Sequence, residues 1–172
     1  MSSPGIHRPL SAKALLLWQF QLAHELLEMA IEAVHRRHPT SAAAARYAQI
    51  ILCEDTTVNG ALLAGIPLAL STWVGRTGVS ELPMLAELTD WHAWAARVRL
   101  DYIELRSYAQ AVYAATAEYI GALPDDVLDE PHGELSARVL NALLLNLSMR
   151  RGEIVSMQAF NNVGFGSGGS SP

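Results

Sequence analysis

The chain has 172 residues, 51% of them hydrophobic, and a formal net charge of −5. This length and composition suit one domain with a single hydrophobic core. The mildly acidic balance offers no attraction to a phosphate backbone, so nucleic acid is not expected as a partner. Charged or amide side chains interrupt every apolar stretch, and we expect no membrane span. Cys53 is the only cysteine, which favours a reducing cytoplasm.

Helical periodicity dominates the first third of the chain. Residues 1–9 lack an apolar signal region and are predicted to be a flexible N-terminus. A first helix is expected over about 10–35, with Ser11 as a cap near its start. A second helix is expected over about 42–64, because Gly65 begins a Gly-Ile-Pro stop signal.

The remaining helices follow a long connection. Residues 67–89 carry two glycines and two prolines in a broken pattern, which predicts a crossover with at most a short turn of helix. A third helix is expected over about 90–122, with a break near its start left open, and a fourth over about 135–160. The Gly/Ser-rich end, 161–172, is predicted to be a flexible tail. We therefore predict an all-α fold: a four-helix bundle over 10–160, with the crossover between helices two and three.

Several polar side chains share faces with apolar ones. Glu54 lies on the apolar face of the second helix, and Asn146 and Arg150 lie on that of the fourth, with Glu153 one turn further. A buried charge is costly unless it is paired. We therefore expect these residues either to line a water-filled pocket or to bind each other. The pairs that would satisfy Arg150 are Arg150–Glu54 and Arg150–Glu153. The alternative is that Arg150 extends to water. Gln19 is a weaker inward-facing candidate.

The order and spacing of three segments resemble the DinB/YfiT-like family of four-helix bundles. The segments are 47–67, 105–116 and 143–154, and the resemblance extends over about 14–158. Members carry one histidine in the second helix and a His-x-x-x-His pair in the fourth. The resemblance implies a divalent metal that activates a low-molecular-weight thiol, such as mycothiol or bacillithiol, for transfer or isomerisation.

The ligand positions of this chain depart from that family pattern. The resemblance places them at Gln49, Asn146 and Arg150. Asn146 and Arg150 lie four apart, one helical turn, where two histidines would chelate a cation. A guanidinium has no lone pair to offer and stays charged. The sequence therefore indicates a family frame whose metal site is lost, with no metal and no cofactor expected.

The favoured hypothesis is a metal-independent small-molecule enzyme or binding protein that uses the bundle pocket. As an enzyme it would be a cyclase, isomerase or lyase, for example in a biosynthetic pathway. Arg150, Asn146 and Gln49 would orient a carbonyl or carboxylate. Glu54 or Glu153 would serve as acid or base. The side chains expected to bind the ligand are Gln49, Asn146, Gln19, Tyr47 and Trp91.

Two alternatives remain open. The first is a non-catalytic binding or interaction protein, for which the high hydrophobic content predicts a homodimer. The second is a metal-dependent thiol transferase with an unrecognised site that includes His24 or His92. The spacing of the histidines does not favour this second alternative, and each is expected to be structural or exposed.

Overall fold

The computed structural model describes most of the chain. The described residues are 11–36, 42–84, 91–124 and 135–163. The predicted N-terminal segment, 1–9, lies outside them. So does the predicted tail, except that residues 161–163 still belong to the last helix.

The described residues form an all-helical structure, which confirms the predicted fold class. They contain no strand, only an isolated bridge between Val79 and Leu100. The DinB-type bundle is a finer statement and stays a prediction. The α-helices are α1 (Ala12–His35), α2 (Ala42–Asp55), α3 (His92–Ala95), α4 (Tyr102–Ala122) and α5 (Leu135–Val163).

Helix α1 forms where its periodicity predicts it. The hydroxyl of Ser11 accepts a hydrogen bond from the backbone N–H of Ala14 at 3.2 Å, which confirms the predicted cap. Its apolar stripe is buried, including Phe20 and Leu27. Glu28 also belongs to this helix and has a side chain only 13% exposed, because hydroxyl and guanidinium groups of other helices contact it.

The second predicted helix changes type before it ends. Helix α2 stops at Asp55, and residues Thr56–Leu62 form a π-helical segment. The hydroxyls of Thr56 and Thr57 donate to backbone carbonyls four residues earlier, each at 2.8 Å. Such bonds compete with regular helix hydrogen bonding and occur with local bends. The predicted helix over about 42–64 is therefore nearly right in its extent, since helical structure ends at Leu62. The prediction of one uniform α-helix over these residues is wrong.

The predicted third helix is two helices. Helix α3 is a single turn, and the carboxylate of Asp101 begins α4 by accepting from the N–H groups of Ile103 and Glu104 at 3.0 and 3.1 Å. Gly78, which lies earlier in the chain, has a backbone φ of +74°. A Cβ atom at this position would lie 2.3 Å from the backbone nitrogen of Leu105, in the first turn of α4. Only glycine permits this close approach of the segment around position 78 to the start of α4.

The longer helices enclose a common core. Helix α1 packs against α4 and α5, and α2 packs against the same two helices. Apolar side chains fill most of the interior, but Arg46, Glu54 and Asp55 lie there too, each at most 1% exposed. Buried charges need partners, and their partners define the two polar centres described next.

Candidate functional site

Glu54 is the centre of a polar group that joins three helices. Its side chain is wholly buried in α2. His24 of α1 places Nε2 3.0 and 3.1 Å from the two carboxylate oxygens, and the hydroxyl of Thr116 in α4 donates to Oε1 at 2.6 Å. These contacts satisfy a carboxylate that has no access to water.

The contacts of Glu54 determine the orientation of the His24 ring. A carboxylate oxygen accepts a hydrogen bond, and the histidine tautomer that pairs with such an acceptor carries its proton on Nε2. The ring stacks on Tyr113 with centroids 3.8 Å apart and planes 17° apart. Nδ1 has no hydrogen-bond partner among the described residues. In the neutral ring this nitrogen carries the free lone pair.

A second carboxylate, Glu28, lies beside this histidine. It accepts hydrogen bonds from the hydroxyls of Tyr47 and Tyr113, the latter at 2.9 Å, and from Nε of Arg106 at 3.0 Å. Burial, and then the negative charge of Glu28, raise the pKa of the Tyr47 hydroxyl. Burial likewise raises the pKa of Tyr113. Both hydroxyls therefore stay protonated and act as donors at neutral pH.

His24 and Glu28 line a cleft between α1 and α4. The cleft has a volume of about 830 Å³, within the range of small-molecule sites. Its walls are largely apolar, with Leu17, Phe20 and Met29 from α1 and Ala114 and Ala117 from α4. An apolar recess with a few convergent polar groups is the usual form of a ligand site.

The buried tyrosines predict loss of stability in alkaline solution. Burial is the largest cause that raises the pKa of Tyr47, Tyr108 and Tyr113 above the ordinary 10.0. The folded chain then holds protons that the unfolded chain releases above that pH, so their contribution is complete below pH 10 and falls as pH rises. The free energy of unfolding should drop by about 1 kcal/mol per tyrosine between about pH 10 and 11.

Urea unfolding at several pH values, followed by circular dichroism, measures this drop. Tyrosinate absorbance should appear together with unfolding. The variant Tyr108→Phe should show a weaker pH dependence than the parent chain. Complete titration of the tyrosines while the urea midpoint stays constant would contradict the assignment.

The second polar centre surrounds Arg46 and joins α2 to α5. Arg46 is 1% exposed. Its Nε donates to Oε2 of Glu153 at 2.7 Å, its Nη2 binds the same oxygen, and its Nη1 donates to the amide oxygen of Gln49 at 3.0 Å. Its guanidinium carbon lies 4.8 Å from the ring centroid of Trp91, a cation–π contact.

Arg150 completes this second centre. Its Nη1 donates to Oε1 of Glu153 at 3.0 Å, and its Nε lies 3.4 Å from the amide oxygen of Asn146. The predicted Arg150–Glu153 pair is therefore present. The alternative pair with Glu54 is wrong, because Glu54 is bound by His24 and Thr116.

The three positions at which the DinB/YfiT-like resemblance places metal ligands do not fit a divalent cation. They supply two amides and a guanidinium, and the oxygens of Gln49 and Asn146 each face an arginine. A cation placed there would meet two fixed positive charges. Among the described residues, no group of three or more His, Cys, Asp or Glu side chains could hold a metal ion.

The predicted site residues divide between the two centres. Glu54 and Tyr47 belong to the group at the α1–α4 cleft, whereas the predicted residues of α5 belong to the Arg46 centre. Gln49 and Trp91 also join the Arg46 centre. Gln19 is partly buried and takes part in neither group of contacts.

Two central residues are absent from the sequence-based site. The sequence predicts a structural or exposed role for His24, and the structure shows it 8% exposed and paired with Glu54. Its spacing, four residues after Phe20 and three before Leu27, already places it on the buried face. Arg46 lies four residues before Ile50, again on the apolar face. The sequence spacing of His24 and of Arg46 therefore already indicates that both side chains face the core.

Cys53 is not set up as a nucleophile. The side chain is partly buried, and burial raises the pKa of its thiol above the ordinary 9.0. The thiol form therefore dominates at neutral pH.

No protein-family profile, curated protein or solved structure gives a significant match to this chain. The resemblance to the DinB/YfiT-like family therefore stays a prediction. Within the described residues, no helix combines the length and apolarity needed to cross a bilayer.

Proposed function

We propose that this protein is a metal-independent enzyme that binds a small, largely apolar molecule in the α1–α4 cleft. The observation that carries the proposal is His24, which lines the cleft and is held by the wholly buried Glu54. The reaction is a proton transfer of the isomerase, lyase or cyclase type. The proposal assumes a DinB/YfiT-like four-helix bundle in a reducing cytoplasm.

The cost of the buried pair supports a functional role. A carboxylate and a histidine in the interior lose hydration, and apolar side chains of similar volume often stabilise a core better. Here the histidine of the pair lines a cleft. Thr116 binds Glu54 and Tyr113 stacks on His24, so the geometry of the pair is fixed. Charged groups held beside a recess are typical of functional sites.

The geometry suits abstraction of a proton next to a carbonyl group. Nδ1 of His24 would accept the proton, and the electron pair of the broken C–H bond would move into an enolate. Glu54 would stabilise the imidazolium and hold the ring, as carboxylates do in catalytic dyads. Where the substrate is a β,γ-unsaturated ketone, the enolate is a conjugated dienolate, and return of the proton from His24 to the γ-carbon completes an isomerisation without a further reactant.

Deuterium exchange tests this chemistry directly. Cyclohexanone in D₂O exchanges its α-protons when a general base removes them, and proton NMR follows the loss of signal. The variant His24→Gln should lower the protein-catalysed rate by about 10² or more. His92→Gln is the matched control and should retain the rate. Equal rates for the parent chain and His24→Gln would contradict the proposal.

Blocking the cleft separates binding from chemistry. Ala117→Trp places a large ring in the cleft at an exposed position of α4, where the fold should tolerate it. Exchange should fall to the level of His24→Gln. Glu118→Trp, the neighbouring exposed position outside the cleft, should leave exchange unchanged.

A dimeric binding protein is the second candidate, and exposed apolar side chains on α1 favour it. Leu15, Trp18, Leu22 and Met29 follow helical spacing and are 37–66% exposed. Such a stripe suits a second copy of the chain. Sedimentation at micromolar concentration should show a dimer that Trp18→Glu dissociates. A monomeric parent chain would contradict this candidate.

A further inference from the structure

The Arg46 centre opens into a second cavity, separate from the α1–α4 cleft. This cavity has a volume of about 370 Å³. Arg46 of α2, Arg150 and Glu153 of α5, and Trp91, which precedes α3, all line it. Its lining shares no residue with that of the cleft.

The cavity carries an excess of positive charge. Two guanidiniums, those of Arg46 and Arg150, converge on the single carboxylate of Glu153, one on each oxygen. The balance of these three groups is one positive charge, although the whole chain is acidic. A partly enclosed cation attracts an entering anion more strongly than a fully exposed cation does, because less water screens the two charges.

The two arginines have different roles in this cavity. Arg46 is fully buried and its contacts to Glu153, Gln49 and Trp91 hold it in place. Arg150 has a side chain 28% exposed, and its Nη2 makes no hydrogen bond to a described residue. Arg150 therefore keeps donors for a ligand, while Arg46 supplies a fixed charge behind it.

The two amide side chains predicted to bind the ligand, those of Gln49 and Asn146, each face one of these arginines. The oxygen of Gln49 accepts from Arg46, and that of Asn146 faces Nε of Arg150. Their contribution is to orient two guanidiniums. The group that contacts a ligand is then the guanidinium of Arg150.

We propose that this second cavity binds the carboxylate of a small organic acid. A guanidinium presents a planar fork that matches a carboxylate. A monoanion balances the single excess charge, whereas phosphate, with its higher charge, exceeds that balance and meets stronger repulsion from Glu153 than a carboxylate does. Trp91 and Met157 provide apolar surface for the rest of the molecule. The site does not depend on the chemistry proposed for His24.

Titration calorimetry of the full chain with benzoate tests the proposal. We expect saturable binding of one benzoate per chain, weakened by added salt. Arg150→Gln should weaken it by about tenfold or more, as expected for loss of a charge-assisted hydrogen bond. Arg138→Gln removes the same charge from an exposed position of the same helix and should change affinity by less than about twofold. Equal losses in both variants, or no saturable binding, would overturn the proposal.

Two further arms identify the ligand chemistry and the location. Benzyl alcohol, which lacks the charge, should bind weakly or not at all, and inorganic phosphate should bind less tightly than benzoate. Tighter phosphate binding would overturn the carboxylate assignment. In NMR spectra of the parent chain, benzoate should shift the indole N–H signal of Trp91, assigned with Trp91→Phe. An unshifted Trp91 signal would overturn the location even if Arg150→Gln fails to fold.

Discussion

Replacing Asp55 with alanine should lower the free energy of unfolding by about 3 to 5 kcal/mol. Asp55 is wholly buried at the end of α2. Its carboxylate accepts four hydrogen bonds: from the Tyr108 hydroxyl at 2.7 Å, the Asn59 amide at 2.8 Å, and the backbone N–H groups of Leu68 and Ala69 at 2.8 and 2.9 Å. Alanine leaves these donors without a partner in the interior, and each unpaired group costs stability.

Urea unfolding followed by circular dichroism measures this loss. Asp55→Asn should be intermediate, because its amide keeps one accepting oxygen and replaces the other with a donor. Glu118→Ala removes an exposed carboxylate and should change stability by less than about 0.5 kcal/mol. Equal stability of Asp55→Ala and Glu118→Ala would show that Asp55 does not hold the segment after the π-helical turn.

Replacing Glu153 with alanine should cost about 3 kcal/mol, because it leaves the charge of Arg46 buried without its anionic partner. Arg46 is 1% exposed and cannot turn to water easily. Arg150 also loses a contact, but its partial exposure lets water replace that contact. Most of the loss therefore comes from Arg46.

A double replacement tests this origin. In Arg46→Met/Glu153→Met, both charges are gone and apolar side chains fill the space, so stability should recover most of the loss. Arg150→Gln is the control and should cost about 1 kcal/mol or less. If the double variant is less stable than Glu153→Ala, the pair itself stabilises the fold and the explanation is wrong.

Periodicity predicts the helices well because it records which side of each helix is buried. The first helix was expected from about residue 10 and the last to about residue 160, and α1 and α5 agree with these bounds within a few residues. The π-helical segment was not predicted. The apolar residues of this segment keep the spacing of an ordinary helix, so the sequence pattern does not distinguish the two helix types. The hydroxyl contacts of Thr56 and Thr57 depend on the local backbone geometry, which the pattern does not record.

The candidate site was predicted only in part. Glu54, Arg150 and Glu153 were identified as charges that need partners, and the Arg150–Glu153 pair lies within one helix, three residues apart. Two side chains three or four residues apart lie on the same face of a helix, so a pair within one helix can be predicted from the sequence. The partners of Glu54 are 30 and 62 residues away in the chain, and spacing within one helix carries no information about them.

Three features can be predicted from the amino-acid sequence alone: the helical class, the approximate bounds of the long helices and the presence of charged groups on apolar faces. They follow from local periodicity and from the cost of burying charge. The pairing of His24 with Glu54 and of Arg46 with Glu153 cannot be predicted in this way. Those pairs depend on how each helix is rotated and which helices are neighbours. Packing of the whole core fixes both, since each helix must bury its apolar face against all the others at once.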